Sequence, residues 1–416
     1  MEQKLHTPEG VRDIYNVECK KKVAVERSLM NIFHSYGYQD IQTPSIEYSD
    51  VFSKEIGTIS SRELYKFFDR DGDTLVLRPD ITPSIARAVA TLFDSVDVPV
   101  RLCYSGNTFI NHNSYQGRLK ENTQLGSELI GNDSVEADAE MLAMVIDGLK
   151  AVGLTEFQVT IGHIDFLQSL LDAAGLDQRT EDEVQSFIAN RNFFGVIEIL
   201  IQNNVSEDII NDFQILPELT GDISILPKAF ETARSDAAKQ SVLRLQKIYE
   251  VLCLYQVEKY ITFDLSMCCS YEYYSGIIFR AYTYGTGDAV VRGGRYDNLL
   301  GKFGKDTPSI GFAIIVDELM SALARQKIDI PVVHNNLIIY TDNTMYLAIE
   351  LARYFRDLHK CIELLKVDSG KTEEDYISYG RRSGALSVMI LQPDEKVRVT
   401  DLTTDETYIV GIEELK

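Results

Sequence analysis

Apolar positions along this chain recur at helical spacing and at strand spacing, in alternating blocks. Val23, Val25, Leu29, Ile32 and Phe33 mark a helix over residues 17–36, and Gly37 stands where a C-cap glycine is expected. Residues 38–46 read as a strand ending near Pro44. Asp71-Gly72 is a hairpin turn signal between two apolar runs, with residues 75–78 as the second strand and Pro83 in the first turn of a helix. Residues 135–175 predict helix, strand, helix. Residues 176–255 are mostly helical and acidic, without a chemical motif. Strand signals dominate residues 261–267, 277–284 and 289–291, and the segment 309–314 leads into a helix. After a linker at 331–336, strand and helix alternate into a β-rich tail, which predicts a small α/β domain.

The most informative stretch is residues 101–131, RLCYSGNTFINHNSYQGRLKENTQLGSELIG. It reads as two antiparallel strands joined by a long polar loop. Side chains alternate along a strand, so the returning strand presents Gln124, Gly126 and Glu128 on one face. An amide and a carboxylate on one face suit an amino group better than a phosphate. Spacing alone leaves an ordinary solvated strand face equally open.

Composition narrows the class. At 416 residues with 45% apolar and 25% charged positions, the chain has material for two or three domains and an ample core. No run approaches the roughly 18 apolar residues of a membrane span, and MEQKLHTPEG has no signal-peptide core. The six cysteines (Cys19, Cys103, Cys253, Cys268, Cys269, Cys361) lack zinc-ligand spacing, which fits a reducing cytoplasm and no metal site. A net charge of −22 argues against gripping a nucleic-acid backbone.

Several motifs resemble those of class II aminoacyl-tRNA synthetases, in the version used by histidyl-tRNA synthetase. The helix, strand and proline through Pro44 are similar to the first class II motif, which builds the dimer interface in that family. Gln124-Leu125-Gly126-Ser127-Glu128 matches the second half of the second motif. Tyr273, Tyr274, Ser275 and Gly293-Gly294-Arg295-Tyr296-Asp297 match the histidine-specific motifs, and the segment from Ser309 into the helix with Glu318 resembles the third. The resemblance implies an antiparallel sheet flanked by helices over residues 1–330, with a helical insertion at about 176–255. It also implies an α/β domain over residues 337–416 like an anticodon-binding domain. Residues 333–416 hold ten Lys and Arg against fifteen Asp and Glu, which argues weakly against tRNA as a partner there.

The departures are as informative as the matches. The family's three functional arginines fall on Ile110, Cys269 and Glu318. A carboxylate in place of an arginine repels phosphate; two like unit charges about 4 Å apart cost roughly 4 kcal/mol at an effective dielectric near 20. Losing one such stabiliser commonly lowers a rate about 10²–10³-fold. The segment LRPDIT, with Asp80 and Thr82, is similar to the synthetase paralogue that serves as regulatory subunit of ATP phosphoribosyltransferase, as is Ile161-Gly162-His163. As an isolated feature, His163 reads as a hydrogen-bonded structural residue.

That resemblance implies a non-catalytic subunit without cofactors that binds a short ATP phosphoribosyltransferase catalytic subunit and itself as a dimer. It implies histidine as a ligand of Asp80, Thr82, Gln124, Glu128, Tyr273, Tyr274 and Tyr296. Two alternatives stay open: a divergent histidyl-tRNA synthetase, and a dimeric scaffold with a vestigial pocket.

Overall fold

The computed structural model describes residues 5–52, 59–93, 99–112, 118–268 and 273–416. The chain forms two compact units: Val25–Asp329 with the stretch ending at Arg12, and Ile330–Lys416 with Asp13–Ala24. Helix α1 (Asn16–Ser35) therefore contributes to both, which a single domain over residues 1–330 does not anticipate. Its first turn is claimed by second-unit partners. Asn16 Nδ2 donates to the Arg382 carbonyl at 3.0 Å, and Val17 lies against Gly384.

The strands of the first unit are, in chain order, β1 (Gln39–Asp40), β2 (Ile46–Tyr48), β3 (Lys66–Phe68), β4 (Thr74–Leu77), β5 (Val100–Phe109) and β6 (Glu121–Ile130). They continue with β7 (Phe157–His163), β8 (Thr220–Gly221), β9 (Ile261–Asp264), β10 (Ile277–Thr283), β11 (Val291–Arg295) and β12 (Ser309–Ile315). Nine of them form one sheet in the order β1-β5-β6-β12-β11-β10-β7-β9-β8, antiparallel except at β1–β5 and β7–β9. The other three form a small antiparallel sheet with β4 in the middle. Helices α2 (Thr82–Leu92), α3 (Val135–Ala151) and α4 (Ile164–Ala174) precede a helical run. That run holds α5 (Gln178–Ala189), α6 (Phe193–Gln202), α7 (Glu207–Ile215), α8 (Leu226–Thr232) and α9 (Asp236–Leu254). The unit's last helix is α10 (Val316–Arg325).

Register explains why one face of the large sheet is core and the other is free for chemistry. Leu125, Ile314, Val291, Ala281 and Val159 stand side by side across β6, β12, β11, β10 and β7, and all are fully buried. The almost wholly buried α3 packs on this face, where Gly148 lets Leu29 and Ile314 approach. Because side chains alternate, the neighbouring rows point the other way. One such row is Gly126, Ala313, Arg292, Arg280 and Thr160; the next is Glu128, Gly311, Gly294, Ile278 and Gly162.

Three strand boundaries differ from the spacing-based reading. The strand expected over 38–46 is two short strands in different sheets. Between them the carbonyls of Thr43 and Pro44 accept from the Arg78 guanidinium, at 2.8 and 3.4 Å, instead of from a ladder. The strand expected over 261–267 ends at Asp264, whose Oδ1 accepts from the Ser266 N–H at 3.0 Å and its hydroxyl at 2.6 Å, a side-chain turn that leaves the sheet. The strand expected at 289–291 instead runs Val291–Arg295, through both glycines.

The second unit is a five-stranded sheet of β13 (Asn335–Tyr340), β14 (Cys361–Lys366), β15 (Ala385–Leu391), β16 (Lys396–Asp401) and β17 (Thr407–Gly411), in the order β14-β13-β15-β16-β17. Its first three strands are parallel, connected through α11 (Met345–Asp357) and α12 (Glu373–Ser383). Thr372 and Asp375 form a capping box at the start of α12, and Gly384 ends it at φ 71°.

Candidate ligand site on the sheet

The site-bearing face carries a cavity of about 170 Å³, smaller than the ~300–1,000 Å³ of pockets that take drug-sized ligands. Six of the seven residues singled out from the sequence line it: Asp80, Thr82, Gln124, Tyr273, Tyr274 and Tyr296. They come from four places in the chain, so only the fold brings them together.

Asp80 sits in the turn between β4 and α2, where Arg78 pins the backbone by donating from Nε to the Asn107 carbonyl at 2.9 Å and from Nη1 to Thr43. Gly106 is required under that guanidinium, since a Cβ there would stand 2.1 Å from Nη2. Asp80 Oδ1 accepts from the Ile81 N–H at 2.7 Å, and Oδ2 accepts from the Tyr273 hydroxyl at 3.2 Å. Tyr273 and Tyr274 have ring centroids 4.8 Å apart, and Tyr273 meets Tyr296 edge-on at 5.9 Å, giving the cavity a flat aromatic wall. Gln124 contributes a buried Oε1 that accepts no hydrogen bond among the described residues, an unsatisfied acceptor at the cavity.

Glu128 differs from the expectation of direct ligand contact. It is 0% exposed and lies below the cavity floor, with Oε1 accepting from the Thr82 hydroxyl at 2.7 Å and Oε2 from the Tyr296 hydroxyl. It fits because its row neighbour is Gly311: a Cβ there would come within 1.6 Å of Oε2. Gly294, next in the row, gives the same clearance to the Tyr274 ring. Burial pushes both carboxyls up, Asp80 above the ordinary carboxylate range and Glu128 to about 8, with the Asp80 charge adding to the latter. The acceptors left at the cavity are the buried Asp80 carboxyl and the Gln124 Oε1. A ligand ammonium or N–H answers both; a phosphate answers neither.

The opposite end of the cavity has other chemistry. It is lined by Ile110, His112, Arg118, Asp288, Arg292 and Glu318. Arg292 donates to Asp288 Oδ2 at 2.5 Å, so its charge is already answered. Neither Arg118 nor Arg292 is among the ligand residues expected from the sequence. Cys269, Tyr271 and Glu272 lie outside the described residues. His163 is away from the cavity: it caps α4 by accepting from the Asp165 N–H at 3.3 Å, and burial holds its imidazole neutral, with its pKa lowered to about 3. Arg295, within the Gly-Gly-Arg-Tyr-Asp motif, is structural too, donating from Nε to buried Asp138 at 3.0 Å.

Among the described residues one group has metal-ligand types close together, His34, Asp40 and Cys103, within 4.8 Å of one another. It is an exposed His–Asp pair at 3.0 Å beside a thiol that burial and Asp40 push up to about 12, which disfavours the thiolate a metal needs.

Residues 10–319 match the family model of histidyl-tRNA synthetase. An ATP phosphoribosyltransferase regulatory subunit from Acetivibrio thermocellus is 35% identical over 418 residues, covering 100% of this chain and 99% of its own. The chain belongs to the ATP phosphoribosyltransferase regulatory-subunit family. A second such subunit, from Ruminiclostridium cellulolyticum, is 35% identical across 97% of this chain and 96% of its own. Among solved structures, an ATP phosphoribosyltransferase regulatory subunit/histidyl-tRNA synthetase from Bacillus halodurans is 32% identical, with a TM-score of 0.82 over 91% of this chain and 97% of its own. Histidyl-tRNA synthetase from Nostoc sp. has a TM-score of 0.84 over 100% of this chain and 99% of its own, and at 19% identity shows the shared fold alone. No helix among the described residues is long and apolar enough to cross a membrane.

In this member of the family the cavity is lined by Asp80, Thr82, Gln124 and three tyrosines, and also by Ile110 and Glu318.

Proposed function

We propose that this chain is a non-catalytic regulatory subunit that assembles with a short ATP phosphoribosyltransferase catalytic subunit, and that its cavity binds histidine. The catalytic subunit joins ATP and phosphoribosyl pyrophosphate in the first step of histidine biosynthesis. Histidine in the cavity would make this chain the carrier of feedback inhibition.

The observation that carries this reading is the split character of the cavity. Asp80 and the Gln124 Oε1 accept from an α-ammonium or a ring N–H, and the tyrosines give an imidazole flat walls. Glu128 acts from below, holding Thr82 and Tyr296 in place. A site built on hydrogen bonds discriminates strongly, because an analogue lacking a partner leaves buried groups unpaired. Coupling to the catalytic subunit is reciprocal: if histidine disfavours the active state, substrates bound in that state weaken histidine binding.

Two features of assembly follow from the same reading. The α1 helix and the edge strand β1 make a symmetric dimer, the commonest closed homo-oligomer. Residues 337–416 act as a separate α/β domain of anticodon-binding type whose acidic balance suits protein contacts better than tRNA.

The test is reconstitution. Adding this chain to a purified short catalytic subunit is expected to raise its phosphoribosyltransferase rate and make it sensitive to histidine. Gln124→Ala and Glu128→Gln are expected to reduce that sensitivity. If both leave it unchanged, the regulatory histidine binds elsewhere.

A further inference from the structure

A second, larger cavity of about 680 Å³ lies on the same face of the large sheet, within the size range of small-molecule sites. Its floor is the continuation of the rows that build the first. Arg292 of β11 is the direct cross-strand neighbour of Arg280 on β10, Arg280 of Thr160 on β7, and Thr160 of Thr262 on β9. Arg292 lines the smaller cavity; Arg280, Thr160 and Thr262 line the larger. Helix α5 contributes Gln185 to its wall.

The lining holds two arginines, Arg191 and Arg280, and two aspartates, Asp182 and Asp264, and they are satisfied differently. Asp182 accepts from the Gln178 amide at 3.0 Å. One wall is self-neutralised: Arg191 is ion-paired with buried Asp264 and donates to the Ser266 hydroxyl at 2.7 Å. Arg280 is not neutralised in this way. It donates from Nη2 to the Cys268 carbonyl at 2.7 Å and forms no ion pair with a carboxylate among the described residues. Its cross-strand neighbour Arg292 is matched by Asp288, so the charge over this floor is that of Arg280. In a chain of net charge −22, this half-buried guanidinium places a positive charge beside the cavity with no carboxylate paired to it among the described residues. Beside it the Thr160 and Thr262 hydroxyls share one hydrogen bond at 3.0 Å. Two hydroxyls sharing one bond leave one O–H free to donate.

We infer that this cavity is a second ligand site, which takes a small organic oxyanion. The anionic group sits on Arg280 and the free threonine hydroxyl, and the rest of the ligand meets the Gln158 and Gln185 amides. A phosphate monoester and a carboxylate share this chemistry. Nothing in the proposed histidine site is needed for it, because the two cavities have no lining residue in common.

The experiment is calorimetric titration of the full chain with inorganic phosphate, glycerol 3-phosphate, glycerate and, as an uncharged control, glycerol. At least one anion is expected to bind in the millimolar range or tighter, and glycerol is not. Arg280→Gln is expected to weaken that anion roughly 10- to 100-fold, as for loss of a charge-assisted hydrogen bond. Thr160→Val, of nearly the same shape, is expected to weaken it less, and serves alone if the arginine variant does not fold. Asp80→Asn, in the other cavity, is expected to leave anion binding unchanged. The preferred anion separates a phosphate from a carboxylate site. Absence of binding by every anion, or affinity unaffected by both Arg280→Gln and Thr160→Val, overturns the proposal.

Discussion

The two ends of the smaller cavity share one sheet face and differ in how their polar groups are satisfied. At the tyrosine end, Glu128 is sealed by Thr82, Tyr296 and the bare backbone of Gly311, and Asp80 is aimed by Tyr273 and Ile81. Each contact constrains the next, leaving acceptors facing the opening. At the other end, Arg292 is matched by Asp288, and Glu318 joins Ile110 in the lining. The difference teaches that acids locked by packing keep acceptors at an opening, whereas an arginine paired with a neighbouring carboxylate has no charge left to offer a phosphate.

The largest expected effect breaks the packed end. A methyl group at position 311 would come 1.6 Å from Glu128 Oε2 and 2.9 Å from the Ser127 carbonyl. Gly311→Ala is therefore expected to cost about 3 kcal/mol or more, as forced overpacking does, and to abolish histidine binding; a denaturant melt measures the first. Next comes the pH dependence. The Glu128 carboxyl has an ordinary value of 4.5 and a folded value of about 8. The folded chain thus holds a proton that the unfolded chain has released between those values. Stability from this group is complete below 4.5 and falls as pH rises through 8, by at most about 1.4 kcal/mol per pH unit. Glu128→Gln removes that slope, so melts of the two proteins from pH 5 to 8.5 are expected to diverge in steepness, with the wild type losing stability faster.

Asp80→Asn probes the same end more gently. The amide keeps the size of the side chain but not its charge, so histidine affinity is expected to fall roughly 10- to 100-fold in calorimetry with little change in stability. The smallest effect belongs to the other end. Glu318→Arg is expected to tighten binding of magnesium-free ATP by roughly tenfold, the worth of one charge-assisted hydrogen bond. An unchanged affinity would mean that the far end of the cavity is closed to triphosphate for reasons other than charge.

Much of this was legible in the sequence where a rule is local. Alternation placed Gln124, Gly126 and Glu128 on one face, and the pairing of β5 with β6 puts them there. Two glycines in a strand mark a close backbone approach or a bulge, and at Gly293-Gly294 the structure places the Phe279 and Tyr274 rings against the two positions. What was not legible depends on partners far away in sequence. That Arg78 serves the carbonyls of Thr43, Pro44 and Asn107, and so breaks one expected strand, has no local signal, because a backbone carbonyl leaves none. That Glu128 lies under the floor depends on Gly311, nearly two hundred positions away. Arg292 and Arg280 meet only through strand register, so neither stood out from spacing within its own segment.

The most direct test of the split cavity is a single calorimetric series: histidine titrated into the purified chain, with and without magnesium ATP. The expected result is saturable histidine binding accompanied by proton release at neutral pH, as the ligand cation draws Glu128 into its ionised form, and the same affinity and heat when ATP is present. No binding of histidine, or binding that appears or tightens only with ATP, would contradict a cavity that keeps its amino-acid end and has lost its nucleotide end.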